Sequence, residues 1–172
     1  RRIRLELSHP TEADHAADLA RVLRGLEGHG WPGVQVPLSV VAGLPKKLRA
    51  ANFTVVATVA FAPVPTLLRV EPASAPSRNL GLAVDLGSTN IVGALIDLET
   101  GETLGERSAL NPQVEHGEDI LERTHLCLHK GSLERLQALA ASAISEIASQ
   151  LALPAGSAVE DICCVCVAGN TT

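Results

Sequence analysis

The sequence predicts an α/β chain in two parts. A small α+β domain occupies residues 1–72, a linker residues 73–79, and an α/β domain of order β-β-β-α-α-β residues 80–172. Three observations predict it. The run Glu71-Pro-Ala-Ser-Ala-Pro-Ser-Arg-Asn79 carries two prolines among small polar residues, the composition of a boundary. Apolar residues recur at helical spacing from Leu133 to Leu151, after three short strand-like stretches. Ile162-Cys-Cys-Val-Cys-Val-Ala168 is short, continuous and apolar, which suits a buried parallel strand.

In the first part, Ile3, Leu5 and Leu7 alternate with Arg4 and Glu6, as in a half-buried strand. Thr11 or Asp14 is expected to cap a helix that runs to about Leu26 on the stripe Leu19, Val22, Leu23 and Leu26. Gly28, Gly30, Pro32 and Gly33 end it. A short strand is expected over Val34 to Val41, then a helix over Leu44 to Ala51 with Pro45 in its first turn. Phe53 to Phe61 and Thr66 to Glu71 read as two further strands. No residue pattern here carries obvious chemistry.

In the second part, Leu80 to Leu86, Ile91 to Leu98 and Thr103 to Leu110 predict a three-stranded meander. Asp97-Leu-Glu-Thr-Gly-Glu102 is the second turn, with Gly101 free to take positive φ. A first helix is expected from Glu118 to about Leu128. Ser132 caps a second, whose stripe is Leu133, Leu136, Leu139, Ala140, Ala143, Ile144, Ile147 and Leu151. Pro154 and Gly156 stop it before the last strand.

The composition is 46% hydrophobic and 19% charged, enough to bury a core, with 2% aromatic residues. The formal net charge of -5 argues against nucleic acid as a main partner, because phosphate backbones call for basic patches. No apolar run reaches the roughly 20 residues that cross a bilayer, so no membrane partner is expected. Cys127, Cys163, Cys164 and Cys166 make no disulfide framework and point to a reducing cytoplasm. The chain begins at Arg1-Arg2 and stops at Thr171-Thr172 straight after an apolar run, and it is read as a piece of a longer protein.

The residues with chemistry cluster at Asp85-Leu-Gly-Ser-Thr-Asn90, a tight turn between two strands. Gly87 lets the backbone approach a phosphate, and Ser88, Thr89 and nearby N–H groups can donate to its oxygens. Asp85 can face a hydrated Mg²⁺, which keeps several waters and takes few protein carboxylates. The same residue types also make ordinary turns. The topology adds weight. A helical crossover returns the fourth strand parallel to the first, so Asp85–Asn90, Asn111–Asp119 and Gly169–Thr172 converge on one sheet edge.

This pattern resembles the acetate and sugar kinase, Hsp70 and actin superfamily, whose first phosphate motif Asp85-Leu-Gly-Ser-Thr matches. Longer strings are closer still to one group: Gly81-Leu-Ala-Val-Asp-Leu-Gly-Ser-Thr-Asn90, Ala109-Leu-Asn-Pro-Gln113 with Gly117-Glu-Asp-Ile120, and Val167-Ala-Gly-Asn-Thr-Thr172. Together they resemble the ATP-dependent reductive activators of corrinoid proteins. That group carries an iron–sulfur domain, a linker, a small middle domain and a large actin-like ATPase domain. The resemblance implies that residues 1–72 are the middle domain and that residues 80–172 open the ATPase domain as its first ribonuclease-H-like lobe, truncated. The implied activity is return of a cobalt(II) corrinoid to cobalt(I), with an electron from an iron–sulfur (2Fe-2S, ferredoxin-type) centre and ATP as the driving force. ATP and Mg²⁺ are the cofactors expected here, and the cluster belongs to a domain upstream. A corrinoid protein is the expected partner, and a homodimer is left open. The expected ATP-binding residues are Asp85, Gly87, Ser88, Thr89, Asn90, Gly169, Asn170 and Thr171, with Asp85 facing the metal. Glu118 and Asp119 are the candidates for orienting or activating a water, and Asn111 and Gln113 could act beside them. With half a cleft, the chain alone is expected to be inactive. Two other readings share the fold: a small-molecule kinase of the same superfamily, and a non-hydrolysing regulator that binds a ligand or partner.

Two further clusters read as structure. The spacing of Cys163, Cys164 and Cys166 fits no common iron–sulfur pattern, so core packing is expected. His125, Cys127 and His129 fall at i, i+2 and i+4 of a helix, which turns Cys127 away from the histidine pair.

Overall fold

The computed structural model describes residues 1–61, 63–74, 78–117 and 119–169. The chain divides into two compact units, Arg1–Pro76 and Ser77–Thr172. Among the described residues there are two sheets and four α-helices, a mixed α/β arrangement.

The first unit runs β1 (Arg2–Glu6), α1 (Asp18–Gly28), α2 (Leu38–Ala50), β2 (Thr54–Phe61) and β3 (Pro65–Pro72). β2 lies between β1 and β3 and pairs antiparallel with both. In β1, Ile3 and Leu5 are buried and Arg4 and Glu6 exposed, as their alternation predicts. The helices cover the sheet, and Leu5, Val22, Leu26, Leu44, Leu48, Val55 and Leu67 form one core.

Two sequence expectations need correction here. Neither Thr11 nor Asp14 caps α1, which starts only at Asp18. Thr11 Oγ1 instead accepts from the Asp14 N–H at 3.1 Å, and the Asp14 carboxylate accepts from the Ala16 N–H at 3.1 Å, a local turn that delays the helix. The strand expected over Val34 to Val41 shrinks to one bridge between Gln35 and Thr66, and α2 begins at Leu38 behind Pro37. Leu44 and Leu48 are buried and Val40 packs against the same core, so a helical face at i, i+4, i+8 outweighs the β-branched composition. Pro45 therefore sits inside the helix rather than in its first turn, at the cost of one backbone rung.

The unit also holds a buried charge. Arg21 is only 2% exposed, and its guanidinium donates to the Ser8 carbonyl at 3.1 Å, the Ser8 hydroxyl at 2.8 Å, the Asp14 carbonyl at 2.8 Å and the Asp14 carboxylate. The Ala16 N–H, and then the Arg21 hydrogen bond, hold the Asp14 carboxyl below its usual range against the opposing effect of burial.

The second unit runs β4 (Leu80–Leu86), β5 (Asn90–Asp97), β6 (Thr103–Leu110), a 3₁₀ turn (Pro112–His116), α3 (Ile120–Lys130), α4 (Leu133–Ala152) and β7 (Ile162–Gly169). The sheet order is β6-β5-β4-β7. β5 is antiparallel to β4 and β6, and β7 is parallel to β4. Hence β4, β6 and β7 all point the same way, and their carboxyl ends share one edge. Gly101 takes the expected positive φ of 79° in the β5–β6 turn.

α4 packs on β5 and β6 through Leu136, Ala140, Ile147 and Leu151, the predicted stripe. Its approach to β5 is close: a Cβ added at Gly93 would fall 2.5 Å from Ile147 Cγ2. Leu133, expected on the stripe, is 62% exposed at the first residue of α4. β7 takes its parallel place beside β4, but it is not buried. Val165 and Val167 are 53% and 50% exposed, and Cys164 and Cys166 are exposed too, against the expected core packing of the cysteines. The order of the sheet puts β7 at an edge, and α4 lies over the opposite side. Among the described residues no helix is long and apolar enough to cross a membrane.

Replacing Ile147 (1% exposed) by alanine opens a cavity against Gly93 and is expected to cost about 2–5 kcal/mol in chemical denaturation. The Asp14 pairing has a pH signature. A carboxylate whose folded-state pKa is lowered stabilises above its unfolded pKa, and the benefit is lost as pH falls through the folded value. Asp14→Asn should therefore lower the denaturation midpoint at neutral pH. The gap to the parent should close on acidification below the usual carboxylate range, and a constant gap would show that the charge is irrelevant.

Candidate functional site

β4 is a continuous apolar strand, and its end delivers Asp85 to the surface while Val84 beside it is buried. The chain then reverses through Gly87, Ser88 and Thr89. A Cβ at Gly87 would lie 2.5 Å from the Asn90 carbonyl oxygen, so the turn closes only with glycine. Ser88, Thr89 and Asn90 are exposed beyond it.

The end of β6 holds this turn in place. Asn90 pairs with Leu110, which brings the next residue, Asn111, opposite Thr89. Asn111 is 1% exposed. Its backbone N–H donates to the Thr89 carbonyl and its side-chain amide to the Gly87 carbonyl, both at 2.8 Å. Its side-chain oxygen accepts from the Gln113 N–H at 3.0 Å and starts the 3₁₀ turn. The Gln113 amide in turn donates to the Leu136 carbonyl on α4 at 2.8 Å. A hydrogen-bonded path thus runs from the β4–β5 turn to the helix that covers the sheet.

α3 supplies the third wall. Asp119 is its N-cap and accepts from the Glu122 N–H at 2.9 Å, so the acid reads first as a helix cap. One turn on, Arg123 is 5% exposed, and its Nε donates to the Gly117 carbonyl at 2.9 Å. Asp85, the 87–89 turn, Asn111, Gln113, Asp119 and Arg123 line one open cavity of about 760 Å³. That size suits a nucleotide-scale ligand.

Of the residues the sequence singled out, Asp85, Gly87, Ser88, Thr89, Asn111, Gln113 and Asp119 come together in this cavity. Asn90 is exposed at the start of β5. Gly169 ends β7 beside Leu86, where a Cβ would lie 3.2 Å from the Leu86 carbonyl oxygen. Glu118, Asn170 and Thr171 lie outside the described residues. His125 and His129 form the expected i, i+4 pair, with ring centroids 4.3 Å apart. Arg123 escaped sequence reasoning. Its one signal is a charged residue on the face of α3 that also carries Ile120 and Cys127, a face that apolar periodicity alone does not mark.

The comparisons with known proteins agree on one family. Residues 1–75 match the model described as the RACo linker region, and residues 80–172 the RACo middle region. In the family's own terms the first unit, read above as a small middle domain, corresponds to the linker. The chain is similar to the "Corrinoid activation enzyme RamQ" of Eubacterium limosum, 31% identical over 93 residues, which is 54% of this chain and 16% of that protein. It is also similar to the solved "Reductive activator for corrinoid,iron-sulfur protein", with a TM-score of 0.80 and 31% identity over 99% of this chain and 27% of that one. The chain thus spans well under a third of the length of either relative. With both units matched to the family's own regions, this chain belongs to the RACo family.

Proposed function

We propose that the chain is the linker-and-middle part of an ATP-dependent reductive activator, and that its second unit is the first lobe of an actin-like ATPase domain. The observation that carries the reading is the convergence at the carboxyl edge of β4 and β6. A glycine-closed turn, exposed hydroxyls, an exposed carboxylate and the start of a helix surround one cavity there. Ligands of open α/β sheets bind at such edges. The names of the two relatives, an activation enzyme and a reductive activator, supply the reaction class and a corrinoid protein as partner.

The residues fit Mg²⁺-ATP. The bare Gly87 admits a phosphate to the backbone, Ser88 and Thr89 can donate to its oxygens, and Asp85 is free to face a hydrated magnesium ion. Bound nucleotide supplies the free energy that carries an electron uphill to cobalt. What this chain does is hold the phosphates, through a turn pinned by Asn111, and pass a change there to α4 through Gln113. Asp119, with Glu118 beside it in sequence, is the candidate for orienting a water. The cysteines do not fit a cluster. In a strand Cys163 and Cys164 face opposite sides, and among the described residues no group of three or more histidine, cysteine or acidic side chains could hold a metal. The electron source is therefore assigned to an iron–sulfur centre carried elsewhere in the full-length protein.

Asp85→Asn in the full-length protein should lower ATP turnover by roughly 10–100-fold, the usual effect of losing a group that orients a metal's water, with an unchanged melting transition because Asp85 is exposed. Full turnover would remove Asp85 from the metal site. Asn111→Ala leaves the Gly87 carbonyl without its donor. It should cost about 1–3 kcal/mol in denaturation and weaken ATP binding in calorimetry. Stability loss without a change in ATP affinity would confine Asn111 to folding.

A further inference from the structure

Arg123 has one guanidinium nitrogen with no visible purpose. Its Nε is spent on the Gly117 carbonyl at 2.9 Å, while Nη2 is buried and has no hydrogen-bond partner among the described residues. The side chain cannot shed its charge, because a guanidinium stays protonated in proteins. Gly117 packs on it so closely that a Cβ there would meet Arg123 Cγ and N at 3.1 Å. A buried, oriented cation without an acceptor is rare enough to call for an explanation.

Its surroundings supply one. Arg123 lines the same cavity as the 87–89 turn and is the one basic residue among the described residues lining it, which also include the acids Asp85 and Asp119. It stands in the first turns of α3, whose amino end adds partial positive charge on that side. The turn itself offers only neutral donors. Among the described residues lining the cavity no other side chain is cationic. We propose that Arg123 is an anion-contacting residue of the cleft, and that its guanidinium, pivoting on the Gly117 bond, takes an oxygen of the outer phosphates of the bound nucleotide. The Gly117 bond holds the guanidinium plane ready for that contact. This rests on the reading of the cleft as a nucleotide site. It adds a phosphate-charge sensor on α3, away from the glycine turn.

The test is calorimetry on the full-length protein with Mg²⁺-ATP, Mg²⁺-ADP and adenosine. Arg123→Gln keeps a donor for Gly117 and removes the charge. It should weaken ATP binding by about 10–100-fold, as loss of a charge-assisted hydrogen bond does, affect ADP less, and leave adenosine unchanged with a native melting transition. A purely structural Arg123 would not discriminate by phosphate number. Unchanged ATP affinity in a folded Arg123→Gln protein, or an equal loss for all three ligands, would overturn the proposal while leaving the nucleotide site standing. If the glutamine variant does not fold, Arg123→Lys decides. The point charge without the planar fork should still cost about tenfold for ATP alone, and unchanged affinity would again overturn the proposal. Absence of ATP binding by the parent protein would sink the nucleotide reading and this inference together.

Discussion

The buried amide of Asn111 is the constraint on which the rest of the candidate site depends. It closes the 87–89 turn from behind, with its backbone and side chain each taking a carbonyl of that turn at 2.8 Å. A glycine turn alone would be free to relax, since glycine loses more freedom on ordering than any other residue. Hydrogen bonds inside a protein are worth more when each partner is itself held, because the local dielectric is low and the groups polarise one another. Asn111 is held in this way, because its oxygen caps the 3₁₀ turn that Gln113 ties to α4.

The same helix serves two ends. Ile147 of α4 presses on Gly93 in the middle of the sheet, and Leu136, three turns earlier, receives Gln113 from the site. α4 is therefore tied to the 87–89 turn through Asn111 and Gln113 of the 3₁₀ turn. Interiors packed at crystal-like density transmit shifts rather than absorb them.

Charge is distributed with similar economy in both units. Arg21 and Arg123 are nearly fully buried, and each fixes a loop ahead of its helix by donating to backbone carbonyls, Ser8 and Asp14 in one case and Gly117 in the other. Arg21 also meets the Asp14 carboxylate, which neutralises it. Arg123 meets no such acid among the described residues, and the proposed phosphate contact rests on that difference.

Periodicity carried most of the fold. The alternation at Ile3 and Leu5 and most of the stripe of α4 follow from local patterns that burial confirms, and the meander and the parallel place of β7 follow from the order of the elements. The glycine turn after β4 was legible for the same reason, since few residues serve a reversal that tight. Patterns failed where distant groups decided. The Asp14 turn displaced the start of α1 because Arg21 reaches back to it. Val40 joined a helix because Leu44 and Leu48 had a core to fill, and β7 stayed exposed because α4 lies over the other side of its sheet. Asn111 and Gln113 read in the chain as polar residues that could act beside Asp119, not as the brace of the turn, and Arg123 as one charge on a helix. What the sequence by itself determined is most of the elements and the glycine-closed reversal at the β4–β5 turn. The tertiary structure alone decided which polar side chains close around it, because hydrogen bonds spanning more than twenty residues leave no period in a sequence.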